Sequence, residues 1–237
     1  MTSGLIVLPG LSKHKSILQG TTNLSLGDFN YFHGYGRRQV RDNINKLKAR
    51  LGCPRAPVVL AEQIHGCHVS RVMNLPARAL TYHKKTDSLV TGQRGVMLGI
   101  LTADCVPVFL FDPEHRAIGM AHAGWRGTAK NIVPRTLRQM TRQYGTRPAA
   151  VLAGLGPHIT RRNYEVDKKT AACLGVTARG KVRVDLGQIL RQQLTVAGVK
   201  KRNITQSGIC TYGSRQLYSY RRQGIRAGRM LSFLLLK

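Results

Sequence analysis

Residues 87–127 have the sequence DSLVTGQRGVMLGILTADCVPVFLFDPEHRAIGMAHAGWRG, in which short apolar runs alternate with polar and glycine-containing segments. Its apolar runs have the length of strands and cover residues 95–101, 106–111 and 117–121. Between residues 95 and 114 there is no Lys or Arg, although the chain has 38 basic residues among 237. Because burying an unpaired cation is costly, we predict three largely buried strands that form the centre of the fold.

Helices and one more strand are predicted on both sides of this centre. Residues 36–51, 128–145 and 185–197 have apolar residues near helical spacing, and residues 149–155 form a short apolar run typical of a buried strand. Pro134 predicts either a kink or the first turn of its helix, Gly145 a C-terminal cap and Asp185 an N-terminal cap. This mixture of elements favours an α+β or a layered α/β fold.

The length and composition indicate a folded chain in a reducing compartment. With 237 residues and 42% hydrophobic content the chain can form a substantial core. We find no internal repeat and expect a single domain over residues 1–237. The five cysteines are an odd number without a CxxC pair, and no apolar stretch approaches a membrane span. We therefore expect a cytoplasmic protein with no signal peptide and no membrane partner.

The net charge of +28 bears on partners, since such an excess attracts phosphate, nucleic acid or anionic lipid but does not determine a fold. The sequence has no RNP-like motif, zinc-finger spacing or helix-turn-helix signal, and its aromatic content is 6%. Non-specific nucleic-acid contact alongside another activity stays open. So does adaptation of a whole proteome to an unusual solvent or base composition.

Three short segments place potential ligands at predicted strand ends beside small residues. They are Gln63-Ile64-His65-Gly66, Thr102-Ala103-Asp104-Cys105, and residues 121–127 with His122. Taken alone, a buried Cys is more often a small hydrophobe, and a His in an apolar run is more often a core residue. Together, two His and one Cys form a plausible three-ligand set that leaves the fourth position of a catalytic zinc open.

These segments also carry a resemblance to a known family. The motifs occur in order: QIHG at 63–66, DSLVT at 87–91, LTADCVPVFLFDP at 101–113, AHAGWRG at 121–127, GLGPHI at 154–159 with NYEVD at 163–167, CTY at 210–212 and YSYRRQGIRAGRM at 218–230. With them the chain resembles the laccase-domain proteins, also called polyphenol oxidases or multicopper oxidases, which include purine nucleoside-processing enzymes. The match extends from about residue 40 to residue 237.

The resemblance implies a compact α/β domain with mixed sheets, layered α/β/β/α, and a metal bound by His65, Cys105 and His122. It also implies phosphorolysis of adenosine, inosine, guanosine and S-methyl-5'-thioadenosine, and deamination of adenosine. Zinc is the expected metal, because it activates water or polarises a leaving group. The expected partners are then a purine nucleoside and phosphate.

Further roles are expected for charged residues near these motifs. Arg126 is the first candidate for a phosphate clamp, with Arg221 and Arg222 as weaker ones; a structural pairing of Arg126 with Asp104 is the alternative. Asp104 joins the catalytic set of His65, Cys105 and His122, where it could orient a ligand histidine. Glu62 and Glu165 remain open as proton-transfer groups.

The chain departs from the family pattern in three places. Its N-terminal part lacks the Gly-Gly-Val-Ser segment typical of the family. Asn43-Ile44 stands where many relatives have Asn-Arg, which puts phosphorolysis in doubt if that arginine holds phosphate. Cys67 and His68 are additional potential ligands that could alter the choice of metal.

Two other enzyme classes use the same residues differently. Two His and one Cys could hold blue copper, but a multicopper laccase also needs a histidine-rich trinuclear cluster, and the chain has only eight His. Alternatively, Cys105 could be a nucleophile with His122 or His65 as its base, without metal.

Overall fold

The computed structural model describes residues 4–32 and 36–237. The N-terminal segment without the Gly-Gly-Val-Ser sequence thus lies partly outside the described residues. The strands in this part of the chain are β1 (Leu5–Ile6), β2 (Ile17–Thr22), β3 (Val58–Ala61), β4 (Val69–Arg71), β5 (Leu80–His83), β6 (Ser88–Thr91), β7 (Met97–Thr102), β8 (Val106–Asp112), β9 (Ala117–Ala123), β10 (Leu152–Leu155), β11 (Glu165–Val166), β12 (Val182–Arg183), β13 (Ile204–Gln206) and β14 (Met230–Leu236).

The α-helices connect and cover these strands. They are α1 (Pro9–Ser12), α2 (Arg37–Arg50), α3 (Trp125–Ala129), α4 (Ile132–Tyr144), α5 (Lys168–Cys173), α6 (Leu186–Val196) and α7 (Tyr220–Gln223). Over the described ranges, none of them is both long enough and apolar enough to span a bilayer.

The three strands predicted at the centre are confirmed as β7, β8 and β9, and every residue in them is buried. The helices predicted at residues 36–51 and 185–197 are also confirmed, and the Asp185 side chain accepts a hydrogen bond from the Gln188 N–H at the start of α6. Gly145 ends α4 in the left-handed conformation, as its position predicts.

Two predicted elements have different bounds. The helix expected over residues 128–145 is divided, because Asn131 adopts a left-handed φ of 59° between α3 and α4, so Pro134 lies in the first turn of α4 and causes no kink. The strand expected at 149–155 begins only at Leu152, since Pro148 starts a short 3₁₀ turn before it.

Two mixed six-stranded sheets form the inner layers. The first has the order β1-β2-β14-β7-β3-β5 and the second β13-β10-β8-β9-β6-β4. In the first sheet β3 runs parallel to both β7 and β5, while β14 is antiparallel to β7. In the second sheet β9 lies between β8 and β6, antiparallel to both.

Three buried clusters hold the layers together. Side chains from both sheets, including Leu98, Phe109 and Met120, share the central cluster. The first sheet packs against α2 in a second cluster, and the second sheet packs against α4 and α6 in a third. The layered α/β/β/α arrangement with mixed sheets is therefore confirmed. The free energy gained from burying apolar surface grows with the area buried, and here each sheet is covered on both faces.

The Asn43-Ile44 pair belongs to the cluster under α2. Ile44 is 2% exposed and shares this cluster with Phe29 and Phe233. The Asn43 amide donates a hydrogen bond of 2.8 Å to the Asp28 carbonyl. At these positions the side chains pack the outer layer, so any phosphate-binding cation has to come from elsewhere in the chain.

We predict that Ile44→Ala lowers the free energy of unfolding by about 2–5 kcal/mol, because it leaves a cavity between α2 and the first sheet. Ile225→Ala is the matched control, since Ile225 is 92% exposed; its effect should stay within about 0.5 kcal/mol. Urea unfolding measures both. Equal effects of the two substitutions would contradict this packing.

Candidate functional site

His65, Cys105 and His122 meet where strands of the two sheets end. His65 follows β3, Cys105 follows β7, and His122 is the penultimate residue of β9. Their ligand atoms all lie within 4.8 Å of one another, and the two imidazole rings are 4.8 Å apart between centroids. His122 is buried, Cys105 is half-buried and His65 is exposed. The structure thus brings together the three ligands expected from the sequence, with one side open to solvent.

Asp87 connects the strand and the loop that carry the two histidines. One of its carboxylate oxygens is 2.8 Å from Nδ1 of His122. The other accepts hydrogen bonds from the N–H groups of Gly66, at 2.7 Å, and Ile64, at 3.2 Å. This fully buried carboxylate therefore fixes the loop around His65 and leaves Nε2 of His122 to face the Cys105 thiol, with which His122 forms a hydrogen bond. Such carboxylate–histidine pairs orient metal ligands in many proteins.

The electrostatics of the cluster favour an ionised thiol. Burial alone would raise the pKa of Cys105, but the charge of His122 and hydrogen bonds from His122 and His65 lower this pKa to about 6. Burial would lower the pKa of His122, but the Cys105 thiolate and Asp87 raise it to about 9. Between these two values the metal-free cluster holds a thiolate beside an imidazolium.

Asp87 stays ionised for a related reason. Its burial raises the pKa, yet the hydrogen bonds from His122, Gly66 and Ile64 outweigh that effect, so the pKa of Asp87 lies below its ordinary value. A carboxylate that accepts several N–H donors is stabilised in its charged form.

Two glycines give the ligands room. A Cβ atom on Gly124 would lie 2.9 Å from Sγ of Cys105 and 3.1 Å from Nδ1 of His65, and one on Gly127 would lie 3.2 Å from the Gly66 carbonyl oxygen. The glycines of AHAGWRG are thus required by close approach of the chain to the ligand cluster. His65 and Asp104 themselves adopt left-handed φ values of 57° and 97°, and backbone strain of this kind concentrates at functional sites.

Asp104 has a different role from the one expected. Its carboxylate accepts hydrogen bonds from the Thr211 hydroxyl, the Ser219 hydroxyl at 3.0 Å and the Arg221 N–H at 2.6 Å. This corrects the expectation that Asp104 orients a ligand histidine, because Asp87 makes that contact. Asp104 instead holds the C-terminal segment against the strand end that carries Cys105, and the structure gives no Arg126–Asp104 ion pair among the described residues.

Tyr164 lies close enough to Cys105, Arg126 and Arg221 for their charges to affect its pKa. The Arg126 guanidinium lies 4.4 Å from the centre of the Trp125 ring, and that of Arg221 lies 5.4 Å from the centre of the Tyr164 ring. Burial and the charge of Cys105 raise the pKa of Tyr164 to about 12, against the opposing effects of Arg221 and Arg126. The phenol therefore remains a hydrogen-bond donor beside two cations and the thiol.

Arg222 is used by the protein itself. Its guanidinium donates hydrogen bonds to the carbonyl oxygens of Thr211, Tyr212, Ser214 and Leu217. These contacts hold the loop at 211–217 in place. The Arg222 guanidinium is thus engaged by the backbone, which argues against the expected substrate contact, and the Arg221 guanidinium donates a single hydrogen bond, of 2.9 Å, to the Glu165 carbonyl.

The other candidates do not join the three-ligand group in the described part of the chain. A Glu62 carboxylate oxygen accepts the Lys85 N–H at 3.0 Å, and the Glu165 side chain is exposed. Cys67 and His68 are likewise outside this group over the residues that the structure describes. Asp112, Glu114 and His115 form a second group, but Asp112 caps the turn by accepting the N–H groups of Glu114 and His115, as expected of a turn residue.

The three ligands suit a borderline-soft metal ion. The three ligand atoms all lie within 4.8 Å of one another, and imidazole and thiolate bind such an ion at roughly 2.0–2.3 Å, so one ion can reach all three after small side-chain shifts. The thiol is already disposed to ionise, and Asp87 fixes one ring. His65, Cys105 and His122 therefore fit a metal ion with three protein ligands and a remaining position open towards solvent.

Comparisons with known proteins identify the family of the chain. Residues 20–237 match the family model described as multi-copper polyphenol oxidoreductase laccase. The chain is 34% identical over 196 residues to purine nucleoside phosphorylase YlmD of Bacillus subtilis, covering 76% of this chain and 70% of that protein. It is 32% identical over 210 residues to adenosine deaminase RL5 of an unknown prokaryotic organism, covering 81% of this chain and 79% of that protein.

Solved structures of two similar proteins have the same fold as this chain. The crystal structure of YlmD from Geobacillus stearothermophilus superposes with a TM-score of 0.90 and 27% sequence identity, covering 100% of this chain and 97% of that one. A hypothetical protein YfiH from Bacillus licheniformis gives a TM-score of 0.89, also at 27% identity, with coverage of 99% and 97%.

We predict that Asp87→Asn weakens zinc binding by about 10–100-fold. The asparagine amide is neutral, so His122 loses the charged acceptor of its Nδ1 hydrogen bond. Competition with a chromophoric chelator measures the affinity. Glu165→Gln is the control, since it removes an exposed carboxylate near the site and should leave the affinity unchanged. Zinc affinity at the wild-type level in a folded Asp87→Asn variant would refute the role of Asp87.

A second prediction concerns the reactivity of Cys105 in metal-free protein. Because the pKa of this thiol is lowered from 9.0 to about 6, its rate of alkylation by iodoacetamide should rise through pH 6 and level off well below pH 9. The thiolate–imidazolium pair is lost below about pH 6, when Cys105 protonates, and above about pH 9, when His122 deprotonates.

Mass spectrometry of the modified peptides identifies the site. Exposed Cys173 is the internal control. Zinc should protect Cys105 from alkylation and leave the Cys173 rate unchanged. Equal effects of zinc on the two cysteines would contradict the metal site.

Proposed function

Because the chain belongs to the multi-copper polyphenol oxidoreductase laccase family, whose relatives here are named purine nucleoside phosphorylase and adenosine deaminase, we propose that it is a zinc-dependent purine nucleoside enzyme. Its proposed reactions are phosphorolysis of adenosine, inosine, guanosine and S-methyl-5'-thioadenosine, and deamination of adenosine. The observation that carries this proposal is the open His65–Cys105–His122 cluster beside two arginines and a protonated tyrosine.

In this proposal His65, Cys105 and His122 would hold the zinc. When bound there, zinc supplies Lewis-acid polarisation of substrate or water. Asp87 keeps the Nδ1 proton of His122, so that the Nε2 lone pair is directed to the cluster. The glycines at 124 and 127 keep the backbone close to the ligands, so substrate can approach from the solvent side.

Phosphorolysis needs an anion held at C1' of the ribose. A phosphate oxygen forms a bond to C1', the bond from C1' to N9 of the purine breaks, and the purine takes the electron pair and a proton. Arg126 and Arg221 are the cations next to Tyr164, and guanidinium groups bind phosphate in bidentate fashion. Tyr164, whose pKa is raised to about 12, can donate a hydrogen bond to the substrate without losing its proton at neutral pH.

A second candidate uses the cluster without metal. Cys105, His122 and Asp87 follow one another as a catalytic triad would. Cys105 would be the nucleophile, His122 the base, and Asp87 the carboxylate that orients His122. Copper-dependent phenol oxidation is a third candidate, favoured by the family description and by a donor set that suits copper. Metal analysis separates them, because a thiolate held by zinc is not free to attack a carbonyl.

We also propose that the enzyme works in the cytoplasm. All five cysteines are free thiols, which supports a reducing compartment.

Our test incubates adenosine with protein of known zinc and copper content, with and without phosphate, and separates the products by chromatography. We expect phosphate-dependent adenine and phosphate-independent inosine. Cys105→Ala and His122→Ala should each lose zinc and both activities while the fold persists. Full activity of either variant with normal zinc content would overturn the site, and products from phenols alone would favour the oxidase.

Arg126→Gln should raise the KM for phosphate about 10–100-fold, since a charge-assisted hydrogen bond is lost, and leave phosphate-independent deamination nearly unchanged. Arg142→Gln, an exposed position on α4, is the matched control. An equal change in both reactions would show that Arg126 stabilises the fold or binds the nucleoside, and that it does not bind phosphate.

A further inference from the structure

A cavity of about 260 Å³ lies between α2 and the start of β5, and its walls are strongly basic. The residues that line it are Arg41, Ile44, Asn45, Lys48, Arg78 and Leu80. Three of these six residues are cations and none is acidic. Like charges around one small volume repel each other unless an anion lies between them.

Lys48 is the buried member of this set. It is 3% exposed, although Lys is almost never found fully buried without a partner. Its ammonium donates one hydrogen bond, of 3.1 Å, to the Ala56 carbonyl, while an ammonium has three N–H donors. Burial and the charge of Arg78 lower the pKa of Lys48, against the opposing effect of Cys53. An anion in the cavity would offset this unfavourable burial.

The backbone directs the other two cations to the same place. Residues 41, 44, 45 and 48 recur at helical spacing on one face of α2, whereas Asp42, the acid on this helix, is turned by about 100° from Arg41. Arg78 has a left-handed φ of 63°, and its N–H donates a hydrogen bond of 2.9 Å to the Arg55 carbonyl. Arg41 and Arg78 are exposed, so they border the opening above Lys48.

We infer that this cavity is an anion site for a phosphoryl group, with Lys48 at its inner end and the guanidinium groups of Arg41 and Arg78 at its opening. Guanidinium groups match phosphate oxygens in pairs, and an ammonium adds a compact charge. A diphosphate group carries three or four negative charges, which suits the three cations that line the cavity.

This site is separate from the metal-ligand cluster. Leu80 pairs with Val58, and Met97 also pairs with Val58, so the cavity lies at the amino-terminal ends of parallel β5, β3 and β7. His65 and Cys105 follow the carboxyl ends of β3 and β7. The length of a four-residue strand, about 13 Å, separates the two ends. The inference therefore does not depend on the proposed reaction.

The experiment is a calorimetric titration of the full-length protein with inorganic pyrophosphate at constant ionic strength, in an Arg126→Gln background that weakens anion binding at the metal-ligand cluster. We expect saturable binding. Arg41→Gln combined with Arg78→Gln should weaken it at least tenfold, and each single substitution should weaken it less.

The matched control combines Arg138→Gln with Arg142→Gln on α4, which covers the other sheet. It removes the same charge, uses exposed positions, and involves residues that do not line the cavity. It should weaken binding by less than about threefold, because distant surface charges are screened. Equal weakening by both double variants, no effect of the cavity variant, or no saturable binding to folded protein would each overturn the inference.

Two further ligands identify the source of the phosphoryl group. If adenosine diphosphate binds more tightly than pyrophosphate, and the cavity variant loses affinity for both to the same extent, the ligand is a nucleotide whose sugar and base extend from the opening. Pyrophosphate or phosphate that binds more tightly supports a free inorganic anion.

Discussion

The buried carboxylate of Asp87 is the contact on which the functional site depends. It lies at the start of β6, binds Nδ1 of His122 on the neighbouring β9, and accepts the N–H groups of Ile64 and Gly66 from the loop after β3. These partners come from both sheets. A charged group without solvent must have all its partners in place, so the same interactions that keep Asp87 ionised also fix the histidine ligands.

The centre of the fold was predictable because buried positions there exclude basic side chains. The absence of cations between residues 95 and 114, together with the apolar runs at 95–101, 106–111 and 117–121, predicted β7, β8 and β9. The helix bounds near Asn131 could not be predicted, because a left-handed Asn between two helices depends on packing of α3 and α4 against the sheet. Likewise, the short strand at Leu152 depends on its pairing with β8.

The site was predictable in its ligands but not in their support. His65, Cys105 and His122 stand in distinctive motifs, whereas Asp87 is 35 positions from His122 and only the sheet topology brings them together. A signal was present, since DSLVT begins a fully buried strand with one of only ten acids. Asp104 and Arg222 were assigned to chemistry because they adjoin the motifs. Their hydrogen bonds to the segment at 211–221 show that they position the chain.

The charge of +28 becomes more informative once the acids are located. Asp87, Asp104 and Asp112 are buried, so the surface is more basic than the composition suggests. Part of this excess lies in two defined places, the arginines beside Tyr164 and the cavity around Lys48. Both places have the chemistry that binds phosphoryl groups.

X-ray absorption spectroscopy at the zinc edge of the purified protein tests directly whether His65, Cys105 and His122 together hold zinc, as we propose. We expect one sulfur neighbour at about 2.3 Å and imidazole nitrogens at about 2.0–2.1 Å, with the sulfur signal lost in Cys105→Ser. Zinc without a sulfur neighbour, or copper as the resident metal, would rule out this zinc site.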